Sequence, residues 1–263
     1  MTDSASRSNQ RVALLQWTAR VGAVTPDALA YLQRASLASA RSRLGRLTRE
    51  RMLVRRRLLV GEPSLYTITR AGLRYAELPW LEPCRVSVAG APHTLALARA
   101  AAALQRCYPD HEVIGERELR RRERLLGRPL ASTPLARGGE SGLHRPDLVL
   151  LSPAGEQLPV AVEVELTLKA PRRLAEICRA WSYSRDVAGV LYLAPGGVRR
   201  ALDRAIALSG ADRIVVLPLD SLALLDDPGA AIARAVPSEP YVAPRGSTIE
   251  QTEFTCPASR STE

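Results

Sequence analysis

The sequence VAVEVELTLK, residues 160–169, contains the alternating pattern around which the architecture of the chain is organised. Apolar residues at positions 160, 162, 164 and 166 share one face, whereas Glu163 and Glu165 lie side by side on the other. Because successive side chains of a strand point to opposite faces, the pattern predicts a β-strand. An unpaired charge in an apolar strand is costly, so the two carboxylates are candidates for a site. Lys169, the only lysine of the chain, ends the stretch.

Other strands and helices are predicted around this stretch. Strands are expected at 111–114, 147–151, 187–193 and 213–217, and helices at 92–107, 115–124, 171–184, 197–208 and 222–235. Residues 127–144, rich in Gly, Pro, Ser and Arg, are interpreted as a loop. Strands separated by a helix can pair in parallel, so we predict a mixed α/β sheet domain over 84–220. The Pro-, Ser- and Thr-rich segment 237–263 is predicted to be disordered.

The N-terminal part of the chain is strongly basic. The formal net charge is +10, and residues 1–80 contain 14 arginines against five acids. This one-sided excess favours binding of a polyanion such as nucleic acid. The sequence predicts helices at 11–22, from a Thr25 N-cap to Gln33, and at 37–51 after a Ser36 N-cap. Strands at 52–60 and 65–69 then form a hairpin around a Gly/Pro turn.

Three helices followed by a hairpin resemble the winged-helix fold over residues 10–80. RLGRLTRERML (43–53) resembles the end of a recognition helix, and LYTITRAGL (65–73) resembles the second wing strand and the closing helix. The resemblance implies that the third helix enters the major groove of DNA and that the hairpin contacts the backbone or the minor groove. The implied DNA contacts are Ser39, Arg41, Ser42, Arg43 and Arg46 on the helix and Arg55, Arg56 and Arg57 on the hairpin.

The opposite face of the third helix is predicted to pack in the core through Leu37, Ala40, Leu44 and Leu47. The alternative to DNA binding is a protein-interaction domain whose arginines are only solvated. Nine basic residues between Arg34 and Arg57 against a single acid, Glu50, favour DNA.

The second part of the chain resembles the restriction-endonuclease-like, PD-(D/E)xK, superfamily. The matching residues are Pro146-Asp147, Glu163 and Glu165, with Glu165 at the usual lysine position and Lys169 displaced. The resemblance implies that Asp147 and Glu163 bind Mg²⁺, that Lys169 orients a water molecule or stabilises charge, and that Glu116 or Glu118 completes the site.

Two features leave the activity of this site open. Lys169 lies roughly 13 Å beyond Glu165 along an extended strand, so it reaches the acids only if the chain bends at Thr167-Leu168. A solvated strand edge is the alternative for the two glutamates. His144, three residues before Asp147, is interpreted as a surface histidine, with a role at the site as the alternative.

A closer resemblance is carried by RPD (145–147) and VEVELTLKAPRRLAEICRAW (162–181). These segments are similar to the replication-relaxation proteins of actinobacterial plasmids and integrative elements. The resemblance implies a protein that binds double-stranded DNA in replication or transfer of a mobile element, with a homodimer and other replication or transfer proteins as candidate partners. An active Mg²⁺-dependent endonuclease or nickase, and a transcriptional repressor whose second domain only dimerises, are the alternatives.

The location is predicted from the apolar segments. The N-terminus has no apolar signal core, and no apolar run approaches the ~18–20 residues that span a bilayer. The sequence therefore predicts a cytoplasmic protein without membrane contact.

Overall fold

A computed structural model of the 263-residue chain describes residues 2–137, 140–155 and 157–219. The helices are α1 (Thr2–Val21), α2 (Pro26–Leu32), α3 (Leu37–Arg49), α4 (Arg70–Tyr75), α5 (Ala91–Cys107), α6 (Glu116–Leu126), α7 (Pro171–Tyr183) and α8 (Gly196–Ser209). The strands are β1 (Leu53–Arg56), β2 (Leu65–Ile68), β3 (Glu112–Gly115), β4 (Thr133–Arg137), β5 (Glu140–His144), β6 (Leu148–Leu151), β7 (Val160–Val164), β8 (Gly189–Ala194) and β9 (Ile214–Pro218). The predicted helix 222–235 and the tail 237–263 lie outside these residues. None of the helices described is both long and apolar enough to cross a membrane.

The N-terminal helices follow the predicted signals except at the start of α1, which begins at Thr2 rather than at residue 11. α1 ends before Gly22, whose φ of +116° lies in the region that favours glycine. The Thr25 hydroxyl accepts a hydrogen bond from the Ala28 amide, and the Ser36 hydroxyl accepts one from the Ser39 amide. These side chains satisfy amides that lack a partner within the first turn of the helix, so both predicted N-caps are confirmed.

The hairpin that follows α3 is shorter than predicted. β1 pairs with β2 in an antiparallel arrangement, but β1 ends at Arg56 rather than near residue 60. Gly61, with a φ of +79°, and Pro63, which has no amide hydrogen, interrupt the extended conformation beyond that point. Residues 57–64 therefore form a connecting loop.

The core of the N-terminal part lies between α1, α2, α3 and the hairpin. Ala40, Leu44 and Leu47 are buried as predicted. The expectation for Leu37 is wrong, since 40% of this residue is exposed. As the first residue of α3, Leu37 lies at a surface cleft with Arg41. Helical spacing identified which face of α3 points inward, but it did not show that the first residue of the helix lies outside the core.

A five-stranded mixed sheet forms the second part of the molecule, as predicted. Its strand order is β3-β6-β7-β8-β9. The pairs β3–β6 and β6–β7 are antiparallel, whereas β7–β8 and β8–β9 are parallel. α7 and α8 connect the parallel strands, which require long crossover connections.

Helices cover both faces of the sheet. Val162 and Val164 of β7 pack on the face covered by α5 and the end of α1. Ala161 lies on the opposite face, in a core with side chains of α7 and α8. The predicted alternation is thus confirmed, although β7 ends at Val164, three residues earlier than expected. Beyond the strand, the Glu165 amide still donates to the Leu193 carbonyl oxygen at 3.0 Å, and the chain then bends at Thr167.

The interpretation of 127–144 as a loop is wrong in part. β4 and β5 form an antiparallel hairpin within it, and Thr133 is paired with His144. The Thr133 hydroxyl donates to the Ala180 carbonyl oxygen of α7 at 2.9 Å, and Leu135 is buried in the core beside the sheet. The segment is rich in turn-forming residues, so its composition did not indicate strands. The strands are stabilised by packing against α7, which is distant in sequence. The hairpin brings His144 close to the start of β6.

The N-terminal helices are fixed to the sheet by close backbone contact. A Cβ atom on Gly115 would lie 2.8 Å from the Val21 carbonyl oxygen, so only glycine permits this approach. The Arg117 guanidinium donates to the carbonyl oxygens of Ala19 and Glu82. The Glu116 amide also donates to the Asp147 carbonyl oxygen at 3.2 Å. The end of α1 therefore lies near the start of β6.

Candidate functional site

Three acidic residues, here called the acid cluster, lie at one end of β6 and β7. They are Asp147, Glu163 and Glu165. Glu163 and Glu165 are only 6% and 5% exposed, and the Asp147 side chain is 24% exposed. The alternative of a solvated strand edge is therefore wrong. Burial of these carboxylates requires partners within the protein, because a buried unpaired charge is costly.

Asp147 is held by the backbone of β7 and by a histidine of α5. Its Oδ2 accepts a hydrogen bond from the Val164 amide at 2.8 Å and lies 3.2 Å from His93 Nε2. His93 Nε2 is also 3.1 Å from the Val164 carbonyl oxygen. Because a carbonyl oxygen only accepts, Nε2 carries the hydrogen and donates to both oxygens. The hydrogen bond to Asp147 raises the pKa of His93, although burial opposes this effect.

Glu163 is paired with His144. The His144 Nε2 atom donates to Glu163 Oε1 at 2.7 Å, and the imidazole contacts the Trp181 ring edge-on with centroids 5.6 Å apart. Only 17% of the His144 side chain is exposed, so the interpretation as a surface histidine is wrong. Burial raises the pKa of Glu163, and the hydrogen bond from His144 opposes that rise.

Lys169 reaches the cluster because the chain bends at Thr167. Its Nζ atom donates to Glu165 Oε2, although the lysine side chain remains 39% exposed. Burial lowers the pKa of Lys169, whereas the negative charges of Glu163 and Asp147 oppose this change. The bend that the sequence analysis required for Lys169 to reach the acids is therefore present.

The metal chemistry implied for this cluster does not fit its hydrogen bonding. Within the part of the chain that the structure describes, no group of three or more His, Cys, Asp or Glu side chains could hold a metal ion. Carboxylates are ligands that Mg²⁺ accepts, together with water and substrate phosphates. Each acid, however, already accepts a hydrogen bond from its own basic side chain. The arrangement satisfies the acids internally.

The two acids proposed to complete the site have different environments. The Glu116 side chain pairs with Arg120, and the residue lines a cavity of about 160 Å³ together with His93 and Asp147. Glu118 is buried and pairs with Arg122, which also binds Glu112 through two hydrogen bonds. Glu116 therefore lies beside the acid cluster, whereas Glu118 belongs to an ion-pair network between α6 and β3.

A second charged region lies on the outer side of α3. Arg41, Ser42 and Arg46 are exposed, and Ser39 is half-buried. Arg43 is also half-buried and donates to Gln33 Oε1 at 2.8 Å. Arg41 and Arg46 make no ion pair with any residue that the structure describes. These two arginines are therefore available to an external partner, whereas Arg43 also supports the contact between α2 and α3.

The hairpin places two further arginines beside α3. Arg55 and Arg57 line a cleft of about 580 Å³ together with Arg41, so they share one side as predicted, although Arg57 lies in the loop after β1. Arg55 donates to the Ser64 hydroxyl at 3.0 Å, and Arg56 is exposed outside the cleft lining. We call Arg41, Arg46, Arg55 and Arg57 together the arginine face.

Arg99 of α5, which the sequence did not single out, also lines this cleft. It lies 2.9 Å from Asp27 and 3.5 Å from Glu62. Burial would raise the pKa of Asp27, but hydrogen bonds from Arg99 and Thr25 hold it below its usual value. Arg99 therefore has partners within the protein, unlike Arg41 and Arg46.

In comparisons with known proteins, no family model, curated protein or solved structure matches the chain. Function must therefore be inferred from the two charged regions themselves.

Proposed function

We propose that this protein binds double-stranded DNA through the arginine face. The observation that carries the proposal is that Arg41 of α3 and Arg55 and Arg57 of the hairpin line one cleft, whose two acids pair with Arg99. These three arginines and the exposed Arg46 make no ion pair with the residues that the structure describes. On this proposal the N-terminal part is a winged helix and the sheet is a restriction-endonuclease-like domain. The resemblance to replication-relaxation proteins suggests a role in replication or transfer of a plasmid or other mobile element.

The chemistry of the arginine face suits a duplex. A helix fits the major groove, where arginine can donate two hydrogen bonds to a guanine edge. Arg41 and Arg46 are candidates for this contact, together with Ser42 on the same exposed side. Arg55 and Arg57 would neutralise phosphates along the adjoining backbone, which contributes affinity without sequence preference.

Fluorescence anisotropy with a labelled duplex tests the proposal. At 50 mM salt we expect Arg41→Ala/Arg46→Ala to bind on the order of 100-fold more weakly than the unchanged protein, because two charged contacts are lost. Arg200→Ala/Arg204→Ala on α8 removes the same charge from exposed positions elsewhere and is the matched control. Equal affinity of both variants would contradict the proposal. Circular dichroism confirms that each variant is folded.

The biological role requires a different experiment. Sequencing of DNA that co-purifies with the protein from its host would show whether the bound fragments come from a plasmid or integrated element. Enrichment of one short site within such an element is the expected result. Recovery of fragments spread evenly over the chromosome would contradict a role in a mobile element.

Phosphodiester cleavage by a Mg²⁺-dependent endonuclease or nickase is a second candidate function. The observation that favours it is the approach of Lys169 to the buried acids, as the superfamily resemblance requires. Asp147 and Glu163 are the residues that would hold a divalent cation, which when bound polarises phosphate and acidifies water. The internal pairing of the acids weighs against this function in the conformation described.

Incubation of supercoiled plasmid with the protein and either Mg²⁺ or Mn²⁺ decides between cutting and binding alone. Nicking that disappears in both Asp147→Asn and Glu163→Gln would establish cleavage. If the plasmid is nicked with neither metal while duplex binding persists, the result would favour a DNA-binding protein such as a repressor.

A further inference from the structure

The His93 N–H group lies where two oxygen atoms from one end of the sheet converge. Its Nε2 atom is 3.2 Å from Asp147 Oδ2 and 3.1 Å from the Val164 carbonyl oxygen. The two oxygens are themselves linked, since the same Asp147 oxygen accepts the Val164 amide at 2.8 Å. β6 and β7 therefore present a carboxylate and a carbonyl oxygen to a single donor on α5.

Such a pair of oxygens is what a hard divalent cation would bind. Carboxylate and backbone carbonyl oxygens are usual ligands of Mg²⁺, at about 2.0–2.1 Å. Here the distances are those of hydrogen bonds, and the group between the oxygens is an imidazole. The His93 N–H group therefore occupies the position in which such a cation would lie.

We propose that the N–H group of His93 takes the place of a cation in the acid cluster and that, while it stays in place, it excludes a divalent metal from Asp147. The inference concerns the acid cluster and α5, and it does not depend on DNA binding by the arginine face. It assigns to His93 a role that neither the alternating strand nor the acid spacing indicated.

His93 is distinguished from the other two bases by its contacts. His144 and Lys169 are each bonded to a single carboxylate, whereas His93 joins a carboxylate to a backbone carbonyl. His93 also lines the cavity of about 160 Å³, between α5 and the end of α1. If the imidazole were removed, the space that it occupies would become part of that cavity. The enlarged space would then admit a cation with part of its hydration shell.

Isothermal titration with Mn²⁺ alone, without DNA, tests the proposal. We expect His93→Ala to bind one Mn²⁺ at least about 10-fold more tightly than the unchanged protein, because the competing N–H donor is absent. His93→Gln keeps an amide N–H at nearly the same distance from the backbone and should bind no better than the unchanged protein. Adding Asp147→Asn to His93→Ala should abolish the gain.

Two controls keep the experiment decisive. His111→Ala removes a histidine that packs against the Tyr108 ring and should leave Mn²⁺ binding unchanged. His93→Ser replaces His93→Ala if circular dichroism shows that the alanine variant is unfolded. The proposal is overturned if the unchanged protein binds Mn²⁺ as tightly as His93→Ala or its replacement His93→Ser, or if neither of these variants binds it. Neither result would affect the anisotropy test of DNA binding.

Discussion

The arginine face and the acid cluster are two concentrations of charge within the residues that the structure describes, and they differ in whether their charges are paired. Arg41 and Arg46 are exposed and make no ion pair with the residues that the structure describes. Glu163 and Glu165 are almost fully buried, and each is bonded to one basic side chain. The arginine face thus has no ion-pair partners among the described residues, whereas the acid cluster contains its own basic partners.

This difference has an energetic meaning. Exposed charges remain hydrated and cost little, so a protein can retain them for a partner that carries the opposite charge. Buried charges must be paired as the protein folds, and removal of one member leaves the other uncompensated. Substitutions in the arginine face should therefore change binding, whereas substitutions in the acid cluster should change the free energy of unfolding.

The largest expected effect is on stability, at Glu163. Glu163→Ala should lower the free energy of unfolding by about 3–5 kcal/mol, because it leaves a cavity and an unpaired His144. Urea denaturation followed by circular dichroism measures the change, and Glu163→Gln should cost less because it preserves the shape. Arg41→Ala/Arg46→Ala should stay within roughly 0.5 kcal/mol. A larger loss of unfolding free energy in the arginine variant than in Glu163→Ala would contradict the proposed difference between the two regions.

A smaller effect is expected from the hairpin side of the arginine face. Arg55→Ala/Arg57→Ala should weaken duplex binding about 10-fold, or about 1.4 kcal/mol, since these residues would contact phosphates only. Anisotropy with two unrelated duplexes measures this loss, which should be equal for both sequences. If only one duplex is affected, the hairpin contributes to sequence recognition and the proposed division between helix and hairpin is wrong.

The smallest effect concerns Glu112, which is half-buried and internally paired. Burial would raise the pKa of Glu112, but hydrogen bonds from Arg122 and the charge of Arg20 hold it below its usual value. Its stabilising contribution is therefore present above the unfolded pKa of about 4.3 and is lost as pH falls through the lower folded value.

Glu112→Gln should accordingly lower the free energy of unfolding by roughly 1 kcal/mol at pH 7. The difference from the unchanged protein should shrink as the pH falls below about 4.3. Urea denaturation at several pH values measures it. A difference that stays constant down to pH 3 would mean that packing, rather than charge pairing, stabilises this residue.

Local patterns in the sequence predicted most of the framework. The Thr25 and Ser36 caps, the alternation of β7 and the mixed sheet followed from side-chain chemistry and periodicity. Asp147, Glu163 and Glu165 were identified from their positions relative to strands, and the structure brings them to one end of the sheet. These features depend on neighbours that are close in sequence or on the period of one element.

The basic partners of the acids could not be predicted in the same way. His93 lies 54 residues from Asp147, within an alanine-rich helix whose pattern indicated only packing. His144 lies in a hairpin that was concealed by Gly, Pro and Ser around it. Whether Lys169 reached Glu165 depended on a bend at Thr167 that alternation does not specify. The two histidine pairings are tertiary, whereas Lys169 and Glu165 are four residues apart and meet only because of that local bend.

The salt dependence of duplex affinity tests most directly whether the arginine face binds the phosphates of DNA. A plot of log affinity against log salt concentration has a slope of about −0.9 for each neutralised phosphate. Arg41→Ala/Arg46→Ala should make the slope less steep by up to about 1.8 if both arginines contact phosphates, and by less where one contacts a base. Glu163→Gln should leave the slope unchanged. Equal slopes and affinities for the arginine variant and the unchanged protein would contradict the account.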